Sequence, residues 1–139
     1  MTKSVFIDSS AFIALVDKVD KRYTRAKELY ETIKNEHAAI YTSVTVLSEV
    51  ITRARYKLGT KVAQTLLKFI LKEEKYGFLT ILWIEKAELK IIGQIMKKFP
   101  LIELSFTDAH IYWLMKRYKI SAIFSFDSDF VKMNLKVLS

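Results

Sequence analysis

Short apolar runs that alternate with stretches of helical periodicity constrain this chain more than any other feature. The runs are Ser4–Ile7, Ala38–Thr42, Phe78–Trp83 and Ala122–Phe124, with Leu135–Leu138 as a fifth at an edge. They are apolar on both sides, and strands buried on both faces belong in a parallel sheet between helical layers. Parallel neighbours need long crossovers, and the intervening segments supply them. Ala11–Val16 follows Ser9 and Ser10, which can cap it, and Arg22–Asn35 carries Tyr23, Ala26, Leu29, Tyr30 and Ile33 on one stripe. Ser43–Leu58 repeats the pattern with Val46, Leu47, Val50, Ile51 and Ala54. Gly59 ends that helix, and Thr60 is expected to cap the next, through Val62, Leu66, Phe69 and Ile70. Glu85–Phe99 forms a helix stopped near Pro100, and Thr107 is expected to cap Asp108–Tyr118. The expected fold is α/β: a three-layer α/β/α sandwich with four to five parallel strands.

The 139 residues suit one domain spanning 1–139, since no linker, low-complexity tract or repeat divides them. With 3 Gly and 1 Pro, the sharp turns of a many-stranded β-sandwich are not available. Cysteine is absent, which excludes disulfide scaffolds, thiolate zinc sites and Cys nucleophiles. The two histidines, His37 and His110, are far apart, so a His-rich metal site is not expected either. Carboxylates and hydroxyls are left to carry chemistry. The net charge of +8 points to a polyanionic partner, nucleic acid first. Lys- and Glu-rich usage with few Asn and Gln resembles that of proteins from hot environments. No apolar run reaches bilayer length and no signal peptide is visible, so a cytoplasmic protein without membrane contact is expected.

In open parallel sheets, sites form where the strands end at their C-terminal edge. Asp8 follows the first strand, and Asp127 the fourth, with Asp129 two residues on. Asp108 lies in the first turn of a helix, and Glu49 within the helix after the second strand. Each has a plainer reading. Asp8 could cap a helix, Glu49 could pair with Arg53 one turn on, Asp108 could complement a helix dipole, and Asp127 and Asp129 could be turn residues. Together, four converging carboxylates repel unless some are protonated or a hard cation binds. Mg²⁺ or Mn²⁺, one ion or two, suits carboxylate and water ligands, and such ions activate water for in-line attack on a phosphodiester. Basic residues would hold the phosphate backbone outside the pocket, and Arg53, on the face of Glu49, is the candidate to reach a phosphate. His110 is expected to be a packing or surface histidine, because it lies about 200° around the helix from Asp108.

The segments FIDSSAFIAL at Phe6–Leu15, YTSVTVLSEV at Tyr41–Val50, LSFTDAHI at Leu104–Ile111 and IFSFDSDF at Ile123–Phe130 resemble the signature blocks of the PIN-domain family. Within it the chain is most similar to single-domain VapC-type toxins of toxin–antitoxin pairs. The resemblance covers nearly the whole chain. It implies an α/β/α sandwich and a Mg²⁺- or Mn²⁺-dependent endoribonuclease that forms a homodimer and is held inactive by a cognate antitoxin. It assigns Asp8, Glu49, Asp108 and Asp127 as catalytic, metal-holding acids and Asp129 as an auxiliary one. Ser9 and Ser125 match hydroxyl positions that support the carboxylates.

Other readings fare differently. A phosphatase with an Asp-x-Asp nucleophile motif is excluded, because position 10 is Ser10. No Gly-rich phosphate loop exists, which removes nucleotide-binding folds of that kind. Two alternatives stay open: an RNA-binding or antitoxin-complexed regulatory module without cleavage, and an RNA-maturation nuclease with no antitoxin. The RNA target is not legible in the sequence.

Overall fold

In the computed structural model, which describes residues 2–139, the apolar runs become β1 (Ser4–Ile7), β2 (Ala39–Ser43), β3 (Leu79–Leu82), β4 (Ala122–Phe124) and β5 (Val137–Leu138). All pair in parallel in the order β3-β2-β1-β4-β5. Consecutive residues Val5, Phe6 and Ile7 in β1 and Ala122, Ile123 and Phe124 in β4 are fully buried. Both sheet faces are therefore covered, as the apolar strands require. The order grows outward from β1 through β2 to β3, then resumes on the other side with β4. The β1–β4 junction is the topological switch point, where the connections leave the strand ends in opposite directions and open a crevice.

The helices are α1 (Ser9–Val16), α2 (Tyr23–Asn35), α3 (Val44–Leu58), α4 (Thr60–Lys75), α5 (Leu89–Lys98), α6 (Phe106–Arg117) and α7 (Asp129–Lys132). Among the described residues α1 packs on α2, α3 and α4, and α3 lies along α4. A second group forms where α5 packs on α6, and α3 also touches α6. Phe6, Phe12, Phe124 and Phe130 are the largest side chains buried at the centre.

Four local expectations need correction. Thr60 caps nothing: it is the first residue of α4, and Gly59 precedes it with φ of 94°. A residue with a β-carbon rarely adopts that backbone, which lets the chain turn from α3 into α4 without a gap. Thr107 does not cap α6 either. Ser105 does, accepting from Asp108 N at 3.0 Å, and the helix starts two residues earlier than expected. The segment expected to be one helix over 85–99 divides into a 3-10 turn at Lys86–Glu88 and α5, because the Glu88 side chain folds back to accept from Glu85 N. Asp129 is not a simple turn residue but opens α7.

Candidate active site

Asp8 leaves β1 at the switch point, with its N–H donating to the Phe124 carbonyl at 3.1 Å. It holds the N-cap position of α1, yet its carboxylate makes no cap bond. It is buried and turns instead toward hydroxyls. Ser125 Oγ donates to Asp8 Oδ2 at 2.8 Å, Ser10 Oγ to the same oxygen at 3.1 Å, and Ser9 Oγ to Oδ1 at 3.4 Å. A serine has one proton to give, so Ser10 and Ser125 spend theirs on Asp8 and use their lone pairs elsewhere. Phe126 N donates to Ser10 Oγ at 2.9 Å and Asp127 N to Ser125 Oγ at 3.0 Å. One carboxylate thereby fixes the backbone that carries the next acid. Ser9 and Ser10 do not cap α1, contrary to expectation, because their hydroxyls are committed to Asp8.

Asp108 is the third residue of α6, held by a reciprocal capping pair: Ser105 Oγ accepts from its N–H, and its Oδ2 accepts from Ser105 N at 3.4 Å. Asp127 stands in the turn after β4, where its Oδ1 accepts from Asp129 N at 2.9 Å. Glu49 is half-buried on α3. The four acids feel one another. Burial pushes the Asp8 carboxyl up, against the hydroxyl bonds that lower it, and the charge of Glu49 adds to the rise. Asp108 is pushed up to about 6, first by burial, then by the charges of Asp8 and Asp127. Among the described residues no lysine or arginine forms an ion pair with any of the four.

Asp129 is different, since Lys132 Nζ lies 3.4 Å from its carboxylate. Arg53 is exposed on α3 and does not pair with Glu49. His110 is fully buried, with Nδ1 2.7 Å from Thr45 Oγ1, and so packs against α3 rather than joining the acids. Two functional residues escape sequence reasoning. Ser10 reads as a helix cap, and Ser105 as loop; the signal for each was a hydroxyl two or three residues from an acid.

The donor set is all oxygen, with converging like charges and no protein cation to offset them, which fits a hard divalent ion. Among the described residues, no three acids or histidines stand close enough to enclose an ion by themselves.

Comparison with known proteins agrees with this architecture. No curated protein sequence matches the chain. The fold is similar to the crystal structure of Mycobacterium tuberculosis VapC20, a sarcin-ricin loop cleaving toxin, with a TM-score of 0.84 and 23% identity over 95% of this chain and 96% of that one. The PIN-domain family profile matches residues 5–136, the span from β1 to the approach to β5. By that match, over nearly its whole length, the chain belongs to the PIN-domain family.

Proposed function

We propose that this protein is a Mg²⁺- or Mn²⁺-dependent endoribonuclease, the toxin of a toxin–antitoxin pair. The observation that carries the reading is Asp8 at the end of β1 and Asp127 in the turn after β4, on either side of the β1–β4 switch point, with the charge of Glu49 raising the Asp8 carboxyl and the charges of Asp8 and Asp127 raising that of Asp108. Family membership and a chain charge of +8 support a nucleic-acid substrate.

Asp8, Glu49, Asp108 and Asp127 would hold one or two ions, with Asp129 auxiliary. A bound ion supplies positive charge that makes water a better nucleophile and offsets charge developing on the phosphate. The protein's own part is orientation. Ser10 and Ser125, with Ser9 at longer range, fix the Asp8 carboxylate, Ser105 aims Asp108, and the Asp129 N–H aims Asp127. Arg53, exposed one turn beyond Glu49, would meet a substrate phosphate. An antitoxin that silences the enzyme would cover the same acids, and a homodimer is the expected assembly.

The test is cleavage of labelled random single-stranded RNA by the parent and by Asp8→Asn, with Mg²⁺, Mn²⁺ or EDTA. Metal-dependent cuts that vanish in the variant are expected. Equal cleavage by Asp8→Asn would sink the mechanism. RNA binding without cuts, indifferent to EDTA and to Asp8→Asn, would favour a regulatory binding module.

A further inference from the structure

The connection from α1 to α2 is tied down more firmly than a solvent loop needs. Asp20 N donates to the Asp17 carbonyl at 3.0 Å, Val19 N to Asp17 Oδ1 at 3.2 Å, and Tyr23 N to the Asp20 carbonyl at 3.0 Å. Arg22 N donates to Asp20 Oδ1 at 2.8 Å, which already closes the turn through the backbone. The Arg22 guanidinium is nonetheless fixed too, with Nε 3.1 Å from Oδ1 and Nη2 3.0 Å from Oδ2 of Asp20. A fork held this way uses two of its five N–H donors and keeps three. Its side chain is 37% exposed, so those donors reach solvent.

The position of this fork is what matters. Its central carbon lies 4.9 Å from the centroid of the Phe126 ring. Phe126 stands between Ser125, which holds Asp8, and Asp127 itself, and its own N–H is bound by Ser10. Its ring leans edge-on against Phe124 at 5.8 Å, so the platform beneath the guanidinium is braced by the core. Beside it, between the β4–α7 turn and the end of β5, lies a cleft of about 250 Å³ that Phe126, Asp127 and Ser128 help to line. One turn further along α2, Arg25 donates from Nε and Nη2 at 3.2 and 3.0 Å to the carbonyl of Ser139, which also lines that cleft.

We propose that Arg22 and Phe126 form a nucleotide subsite beside the acids, which takes the residue flanking the scissile phosphodiester of a single-stranded RNA. This rests on the nuclease reading above. A polyanion drawn into the carboxylates gains from a cation where it leaves them, and Arg22, its charge partly offset by Asp20, stands there beside Phe126. A planar guanidinium lying on an aromatic ring offers its free edge to a phosphate and its outer face to a base, the two surfaces by which unpaired nucleotides are held. Its tether to Asp20 removes most of the ordering cost that a free arginine would bear on binding.

The test is fluorescence anisotropy with a fluorescein-labelled random single-stranded RNA in EDTA, titrated over salt, for the parent, Arg22→Gln and Arg22→Lys. Arg22→Gln should weaken binding about fivefold or more, the scale of one lost stacked base. It should also flatten the slope of log affinity against log salt by about 0.7, the value of one phosphate contact on a single strand. Arg22→Lys should restore the slope but not the whole affinity, because it keeps the charge and loses the plane. A merely structural arginine would shift the melting temperature and leave the slope alone. Should Arg22→Gln fail to fold, the lysine variant decides by itself: affinity equal to the parent overturns the subsite. Parent RNA binding that Arg22→Gln leaves unchanged in strength and slope overturns the subsite and spares the nuclease reading. A parent that neither binds nor cuts RNA in any metal overturns both.

Discussion

Asp8 Oδ2 takes the protons of Ser10 and Ser125, and those hydroxyls in turn accept the N–H groups of Phe126 and Asp127. Removing Ser125 Oγ leaves a buried carboxylate short of a donor and the Asp127 N–H short of an acceptor. Ser125→Ala should cost about 1–3 kcal/mol, read from urea denaturation, since unmade bonds to buried groups carry their desolvation penalty. It should also slow cleavage, as Asp127 loses its anchor. Asp108 gives a pH signature. Its folded pKa of about 6 lies above its ordinary 3.8, so the folded state binds more protons between the two. The metal-free protein should therefore lose stability as pH rises from about 4 to about 6. Asp108→Asn, which mimics the protonated acid, should melt higher than the parent above pH 6, with the gap closing toward pH 4. A parent that gains on Asp108→Asn as pH rises would contradict the charge cluster.

At the scale of elements, the start of α6 fixes Asp108, and the turn before α5 fixes the other end of that helix. Ser105 accepts from Asp108 N, and Ser105→Ala should cost about 1 kcal/mol and loosen the aim of Asp108, lowering the cleavage rate in Mg²⁺. Farther along α6, Trp113 Nε1 and Arg117 both reach Glu88, which closes the 3-10 turn ahead of α5. Burial pushes the Glu88 carboxyl up, but the Trp113 and Glu85 N–H groups and Arg117 outweigh it and hold the acid below its ordinary 4.5. A lowered folded pKa means stability that is present above 4.5 and lost as pH falls through the folded value. Glu88→Gln should therefore melt lower than the parent at neutral pH, and the difference should shrink in acid, as circular-dichroism melts over pH 3–7 would record.

For the molecule as a whole, the acids are a local weakness in an otherwise closed core. Asp8 and Asp127 follow β1 and β4, the strands on either side of the switch point. An ion that binds only the folded state stabilises it by mass action, about 2.7 kcal/mol at a hundredfold excess over its dissociation constant. Saturating Mn²⁺ should raise the melting temperature of the parent and leave that of Asp8→Asn nearly unmoved. Equal shifts in both would place the ion elsewhere. Among the described residues no helix is long and apolar enough to cross a membrane.

The order of strands and helices, the parallel character of the sheet and the places of Asp8 and Asp127 just past strand ends were legible in the chain itself. They follow from the apolar runs, the helical stripes and acids placed just past strand ends, all properties of near neighbours in sequence. β4 at Ala122–Phe124 appears with the bounds its apolar run predicts, while Ser43, expected to open the helix, ends β2 and caps α3 instead. Which hydroxyl caps and which supports a carboxylate was not legible. Ser9, Ser10, Ser105 and Thr107 are equally able to cap, and the choice falls to whichever partner the fold brings close. Ser10 turns to Asp8 because Ser125, 117 residues from that acid, arrives beside it at the end of β4. Arg22 lies on Phe126 for the same reason, across more than a hundred residues of chain. Backbone pattern is decided by short-range sterics and burial, while the partner of a polar side chain is decided by what the sheet places opposite it.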